Sequence, residues 1–298
     1  MIFIILNSEN TMIDDILAKF DGAFSANTIR AYRSDFIQYE KWCLKHDQKP
    51  IPATAEFMAN YVDYLSQNVK SATIRRRINS LGTVLKLSKN YDPIKEPEVV
   101  LALKRMHRKI GRSQEQAAPL TNALLKQLLD SCDNSTVGLR NKVLLRLGYE
   151  TMRRRSELCA FRFEDISQAP NGKSIITLTF SKTDQYGAGK VIPISEELLS
   201  LLNQWKVIAG NEGYIIRAIN RHGHISDSLN PSSVSSILKK LQKSIKDVSS
   251  KQLLSGHSFR VGAALDLLEQ GEPLEKIMLK GGWQTEATAM KYLRNWQV

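Results

Sequence analysis

The chain has 298 residues, with 42 Lys plus Arg against 30 Asp plus Glu, a formal net charge of +12. That length accommodates two domains of ordinary size, and 42% hydrophobic residues are enough to build cores, which excludes disorder as the main state. No segment approaches the run of about 18 apolar residues that a membrane span needs, so a transmembrane protein is excluded.

The positive charge is unevenly placed. Residues 1–69 carry 6 basic and 9 acidic side chains, residues 70–112 carry 12 and 3, and residues 113–298 carry 24 and 18. A dense basic block inside a folded chain points to a polyanionic partner such as nucleic acid. The plainer reading is a basic, solvated face.

Met1–Leu6 is an apolar run without a basic flank, too short for a signal-peptide core. It reads as a short extension, or as sequence ahead of a start at Met12. Between Ser25 and Lys45, Ile29, Tyr32, Phe36, Tyr39 and Cys43 recur at spacings of 3 and 4, which predicts a helix with one apolar stripe. Ser25 or Asn27 can cap it. Ala53–Ser66 repeats the pattern with Phe57, Tyr61 and Tyr64. Ser71–Leu87 does so with Ile74, Ile78, Leu81 and Leu85, and Ser71 is the expected cap. Arg75, Arg76 and Arg77 sit in the first turns of that helix, mostly off its stripe, an arrangement that suits the major groove and equally a solvated basic face. A shorter helix is predicted over Pro97–Lys109. His107–Pro119 (HRKIGRSQEQAAP) lacks periodicity and reads as a linker.

Helices are predicted next over Thr121–Ser131 and Val137–Thr151. Ile175, Thr177 and Thr179 then alternate with Ile176, Leu178 and Phe180, a strand pattern that returns as Val191–Ile194. Gly187–Ala188–Gly189 supplies turn chemistry, so a β-hairpin is predicted with Lys182 at its mouth. Helices resume over Glu196–Ile208, Ser232–Val248, His257–Gln270, Pro273–Lys280 and Thr285–Trp296. The three cysteines, Cys43, Cys132 and Cys159, lie in apolar stretches without CxxC spacing. That is the pattern of reduced core thiols in a cytoplasmic protein.

Several chemistries lack their motifs. There is no GxxxxGK[ST] phosphate loop, no Gly-rich dinucleotide fingerprint, no HExxH and no GxSxG elbow. His222 and His224 flank Gly223 without a further ligand cluster and read as a polar turn, so neither a cofactor nor a metal is expected. What remains is a spaced set of cations and one late tyrosine: Arg154 in TMRRRSEL, Lys182 in FSKTD, His257 and Arg260 in GHSFRVGAA, Trp283 in LKGGW and Tyr292 in AMKYLRN. Each alone is weak, since an Arg on a helix is usually a surface residue and a Tyr on a short helix is usually core.

Taken in order, the set resembles the catalytic residues of the tyrosine recombinase (phage integrase) family. The resemblance implies a mainly α protein with a small antiparallel β-sheet. It implies an N-terminal extension at 1–11, a helical core-binding domain at 12–109, a linker at 110–118 and a mixed α/β catalytic domain at 119–298. The family's R-x-[SA]-E-[LI] pattern, anchored on Ser156–Glu157–Leu158, selects Arg154 over Arg153 and Arg155, which are left structural or DNA-backbone roles. Tyr292 is implied as the nucleophile, and His257 as proton acceptor or phosphate ligand. Lys182 becomes the proton donor to the leaving 5′-oxygen, and Trp283 an indole donor to a phosphate oxygen, where many family members have His. Glu157 orients Arg154 or His257.

The physical logic agrees. Phosphodiester exchange passes through a transition state with extra negative charge, which two permanently protonated guanidinium groups can stabilise. A free phenol with a pKa of about 10 is scarcely ionised at pH 7, so its proton must leave during attack. A 3′-phosphotyrosine conserves the ester, so rejoining needs no ATP motif.

Arg75, Arg76, Arg77, Ser232, Ser233 and Lys239 are the candidate DNA-binding residues, with Lys240, Lys243 and Lys246 as further phosphate contacts. For any single serine, ordinary helix capping is the plainer role. The chain starts near its first core-binding helix. It is therefore expected to act on double-stranded DNA at a short inverted-repeat site, as a tetramer on the DNA, in the cytoplasm of a bacterial or phage-bearing cell. It also ends six residues after Tyr292, which leaves protomer coupling to the Tyr292 helix with Trp296, or to other surfaces. Two other readings stay open: a type IB topoisomerase-like relaxing enzyme, and a DNA-binding regulator that lost catalysis.

Overall fold

The computed structural model describes residues 12–112, 116–179, 189–245 and 252–293. The chain divides into two compact units, Met1–Glu115 and Gln116–Val298. Among the described residues there are thirteen α-helices and three short strands, so the fold is mainly α with one small sheet. No helix among them is long and apolar enough to cross a membrane.

The first unit is helical: α1 (Met12–Ala18), α2 (Ala26–Leu44), α3 (Ala55–Leu65), α4 (Ser71–Leu87) and α5 (Pro97–Ile110). Helix α1 was not anticipated from the sequence; Ile13, Ile16 and Leu17 are its buried side. Of the two possible caps on α2, Ser25 serves, accepting from the Thr28 amide. Thr54 caps α3 in the same way. On α4 the expected cap fails. Lys70 occupies the cap position and Ser71 is the first helical residue, buried. The helix is held instead by its apolar stripe of Ile74, Ile78, Leu81 and Leu85, which lies in the core with Phe36, Tyr39, Cys43, Met58 and Tyr61.

The expected α3 stripe is also shifted. Met58, Tyr61, Val62 and Leu65 are buried, whereas Tyr64 is 46% exposed. Tyr64 and Phe57 sit at the rim beside Trp42, within ring-contact distance. Aromatic rings in a partly wet rim satisfy the same spacing as core residues, so periodicity alone could not separate them. Helix α5 continues through His107–Ile110 and ends at Gly111 with φ +73°. His107–Lys109, claimed by both the predicted helix and the predicted linker, are therefore helical, as is Ile110, which was expected in the linker.

The second unit contains α6 (Asn122–Asp130), α7 (Thr136–Thr151) and the single turn α8 (Arg155–Leu158). The sheet follows, as β1 (Ile166–Gln168), β2 (Ser174–Leu178) and β3 (Lys190–Pro193). Next come α9 (Glu196–Ala209), α10 (Pro231–Ser244), α11 (Ser258–Glu269), α12 (Leu274–Gly281) and α13 (Glu286–Leu293). The strands are antiparallel in the order β1-β2-β3, with Ile176 opposite Ile166 on one side and Ile192 on the other. Ile176, Leu178 and Ile192 put one face of the sheet in the core. β1 is too short to leave a period-2 signal. Phe180, Lys182 and the turn through residue 188 lie outside the described residues, as do Met1–Leu6, Lys246, Asn295 and Trp296.

Thr121, Ser135, Ser195 and Asn230 cap α6, α7, α9 and α10. At α10 the Asn230 carboxamide oxygen accepts from both the amide and the hydroxyl of Ser232. The serines after Pro231 therefore do not cap that helix. The three cysteines are free and buried, and burial pushes each thiol up to about 11.

Helix α11 is the axis of this unit. Every residue from Ser258 to Asp266 is buried, as befits a helix surrounded by protein. Its approach to its neighbours depends on two glycines. A Cβ at Gly262 would lie 1.9 Å from the Leu120 carbonyl oxygen, and one at Gly148 on α7 would lie 2.7 Å from the Phe259 ring. Gly262→Ala is thus expected to lower the stability of the full chain by about 1–3 kcal/mol, the range for overpacking a close contact, read as a lower urea midpoint. An unchanged midpoint would show that the helix contact is not tight.

Candidate active site

The site is built where α7 turns into α8. Helix α7 ends at Thr151, and Met152 takes a left-handed conformation, φ +53°. The turn sends Arg153 and Arg154 in different directions. Arg153 is buried, 3% exposed. Its Nε donates to the Thr151 carbonyl at 2.6 Å, and its Nη2 donates to the Lys280 carbonyl. Arg154 precedes α8 in extended conformation and stays partly accessible, with 25% side-chain exposure. Glu157, one turn later and 4% exposed, holds it twice: Oε2 accepts from the Arg154 amide at 3.0 Å and Oε1 from its Nη1 at 2.7 Å. The carboxylate thus fixes both the helix start and the guanidinium, a charge-assisted pair.

Helix α11 supplies the next two groups. His257 stands at its N-terminal cap position, exposed, and Arg260 follows one turn on, 0% exposed. Arg260 Nη1 donates to the Met152 carbonyl at 2.8 Å, so the left-handed turn orients the second arginine as well. The Arg260 guanidinium carbon lies 5.1 Å from the Trp283 ring centroid and 5.5 Å from that of Tyr292. The two rings stack on each other at 4.7 Å with an interplanar angle of 29°. Arg260 is therefore fixed by a carbonyl and faced by two π systems. Its Nε and Nη2, and Trp283 Nε1, are buried with no hydrogen-bond partner among the described residues. Leaving a buried donor unpaired costs about 1–3 kcal/mol, so three together mark a place built to receive an acceptor.

The electrostatics match that geometry. Burial lowers the Arg260 pKa and Arg154 lowers it further, while Tyr292 and Glu157 oppose the change. His257 is held below its ordinary value, first by partial burial of its ring within an otherwise exposed residue and then by Arg260, Arg155 and Arg154. Lys190, half-buried on β3, is pushed down to about 8 by burial and by Arg153 and Arg260. Tyr292 itself is half-buried on α13, and its carbonyl accepts from Gln116 Nε2 at 2.7 Å.

Six of the seven sequence-predicted catalytic residues, Arg154, Glu157, His257, Arg260, Trp283 and Tyr292, meet in this cluster, although they span more than 130 positions of the chain. Lys182 lies outside the described residues. Arg153 faces inward, and Arg155 is exposed beside Gly256, where a Cβ would lie 3.0 Å from its own. Sequence reasoning missed Lys190, Gln116 and the Met152 carbonyl. The first two act through backbone carbonyls distant in sequence, and a carbonyl leaves no residue signature.

The expected DNA-reading residues fare unevenly. Arg75 is exposed, and it lines with Tyr32, Arg76 and Asn79 an open groove of about 390 Å³ in the first unit. Arg76 is 49% exposed but paired with Asp35. Arg77 turns inward, 16% exposed and 3.9 Å from Asp35. Asp35, buried between them, is the reason this face is less free than its arginines suggested. Ser232 and Lys239 are exposed and Ser233 half-buried on α10. His222 and His224 form a turn closed by the Asn220 side chain. No metal-binding cluster occurs among the described residues.

Residues 118–297 match the model of the phage integrase family, and residues 19–87 match the phage integrase N-terminal SAM-like domain. The chain is 30% identical over 279 residues to an integrase/recombinase xerD homolog of Selenomonas ruminantium, covering 90% of this chain and 81% of that protein. It is 27% identical over 292 residues to recombinase cre of Escherichia phage P1, covering 92% and 85%. Lambda integrase, residues 75–356 in a dimer bound to a COC′ core site, has the same fold, with a TM-score of 0.67, 18% identity and 95% of both chains covered. As a tetramer bound to a Holliday junction it aligns at 0.65, with 17% identity and 98% and 82% covered. With one family model spanning its second unit and another most of its first, the chain belongs to the phage integrase family of tyrosine recombinases, whose members break and rejoin DNA.

Proposed function

We propose that the protein is a site-specific DNA recombinase that cleaves and rejoins strands through a 3′-phosphotyrosine on Tyr292. One observation carries this reading: the two groups packed on the Tyr292 ring, the Arg260 guanidinium and the Trp283 indole, hold three buried donors without a hydrogen-bond partner among the described residues, Arg260 Nε and Nη2 and Trp283 Nε1. A tetrahedral phosphate presents oxygens that accept all three, and Arg154, positioned by Glu157, supplies a second guanidinium.

In the reaction, Tyr292 Oη forms a bond to the scissile phosphorus as the bond to the 5′-oxygen breaks. The phenolic proton passes to His257, which can equally hold a phosphate oxygen, and Lys182 delivers a proton to the departing 5′-oxygen. Arg154 and Arg260 stabilise the charge that grows on the non-bridging oxygens. A 5′-hydroxyl from another duplex then attacks the phosphotyrosine and reverses the chemistry on a new partner.

Residues 12–109 are proposed as the core-binding domain, 110–118 as the linker and 119–298 as the catalytic domain. Arg75 and Arg76 face DNA from α4, and Ser232, Ser233 and Lys239 from α10, while Arg77 acts from inside by steadying the α2–α4 contact. The target is a short inverted repeat in double-stranded DNA bound by a tetramer in the cytoplasm. The lambda integrase complexes with a core site and a Holliday junction support this assembly.

Sequencing the DNA that the purified protein captures covalently tests the function, since a single recurrent inverted repeat is expected and random capture would favour a relaxing enzyme. Tyr292→Phe should abolish SDS-resistant complexes with the captured duplex and leave its binding nearly unchanged. Arg154→Ala should slow cleavage by about 10²–10³-fold, more than Arg153→Ala, and equal losses would overturn the register of the arginines.

The depressed His257 pKa means a neutral imidazole at pH 7, ready to accept a proton. Cleavage should therefore fall only as pH drops through a value below about 6.5, and His257→Asn should remove that limb. A limb centred above 6.5 would contradict the arginine-crowded setting. Finally, Arg75→Ala and Lys239→Ala should each reduce the slope of log affinity against log salt by about 1, and an unchanged slope would remove that residue from the phosphate contacts.

A further inference from the structure

Helix α12 ends in a tight turn. Gly282 is left-handed, φ +67°, its amide donates to the Leu279 carbonyl at 3.2 Å, and the Trp283 amide donates to the Met278 carbonyl at 3.0 Å. This is a Schellman ending, which satisfies two of the last carbonyls by itself. Two cations from distant parts of the second unit reach the same end. Arg153 Nη2, from the α7–α8 corner, donates to the Lys280 carbonyl, and Lys190 Nζ, from β3, donates to the Leu279 carbonyl. Positive groups at a helix C-terminus are favourable, but two reaching one short helix from outside constitute a clamp.

The clamp is seated closely. A Cβ on Gly282 would lie 2.8 Å from Arg153 Nη1, and a Cβ on Gly281 would lie 2.5 Å from the Trp283 ring. Arg153 thus rests on one side of the Gly281–Gly282 turn and the indole on the other. The indole in turn stacks on Tyr292. Displacement of the α12 end therefore passes through Trp283 to the phenol. Lys190 meets its carbonyl from the strand that follows the Lys182 segment, so the same contact ties that strand to the support of the tyrosine.

The geometry points to Arg153 and Lys190 as positioning residues that fix the Gly281–Gly282–Trp283 turn and thereby the approach of Tyr292 to the phosphate held by Arg260. This rests on the recombinase reading and assigns neither residue to the reacting atoms. Misplacement of a reacting group by about 1 Å costs up to about 100-fold in rate, so the clamp is expected to matter for chemistry and not for DNA affinity.

The test uses the full chain and two nicked duplexes of the covalently captured sequence, one with the natural 5′-oxygen at the scissile bond and one with sulfur in its place. Sulfur leaves without protonation, so it rescues loss of an acid but not loss of position. Arg153→Met and Lys190→Met should each slow single-turnover cleavage about 10- to 100-fold on both duplexes, with duplex affinity unchanged. Lys190→Arg should recover most of the rate, because its guanidinium can still reach the Leu279 carbonyl. Wild-type rates in Lys190→Met would overturn the proposal. So would a Lys190→Met deficit that vanishes with the sulfur duplex, which would make Lys190 the proton donor. If Arg153→Met fails to fold, the Lys190→Met and Lys190→Arg pair decides. If the wild-type chain forms no covalent complex with either duplex, the recombinase reading itself fails, a result distinct from a wild-type chain that cleaves and a clamp variant that cleaves as well.

Discussion

A guanidinium without solvent organises the second unit. Arg260 is 0% exposed, and its Nη1 donates to a backbone carbonyl, that of Met152. Burying a cation in this way is costly unless something compensates. The compensation here is partial: one carbonyl, two ring faces and the nearby Glu157 and Tyr292. The left-handed Met152 offers the carbonyl, and the stacked pair Trp283–Tyr292 offers the ring faces.

Several cations here are held by carbonyls. Arg260 uses Met152, Arg153 uses Thr151 and Lys280, and Lys190 uses Leu279. A carbonyl fixes the direction of a cation without cancelling its charge, whereas a carboxylate does both. Glu157 is engaged by Arg154. The result is a pocket of retained positive potential, in which Lys190, His257 and Arg153 all have lowered pKa values, each first through loss of solvent and then through neighbouring arginines, Arg260 among them in every case. Such a pocket suits a doubly bridged phosphate that carries more negative charge in the transition state than in the ground state.

Much of this was legible in the sequence. The helices with apolar stripes announced themselves, as did the β2–β3 hairpin, because burial on one face imposes a period. The site was legible through the order and local contexts of Arg154, His257, Arg260, Trp283 and Tyr292. What stayed hidden has a common physical cause. The Lys190–Leu279 and Gln116–Tyr292 contacts join a side chain to a carbonyl across 89 and 176 positions, and no local pattern encodes them. Ser71 was misread as a cap because the cap position differs from the first helical position by one residue. Arg77 looked like its neighbours because the buried Asp35 that draws it inward lies on another helix.

The first unit gives the opening charge imbalance a more limited meaning. Part of the dense basic block is paired with acidic side chains, Arg76 and Arg77 with Asp35 and Arg105 with Asp63, so the free cationic face is smaller than the count implied. The reaction, by contrast, depends on one phenol beside one buried arginine. The most direct measurement is peptide mapping of the covalent complex: nuclease and protease digestion followed by mass spectrometry. The account predicts a nucleotide joined through its 3′-phosphate to the peptide containing Tyr292. A nucleotide on any other residue, or one joined through a 5′-phosphate, would contradict it.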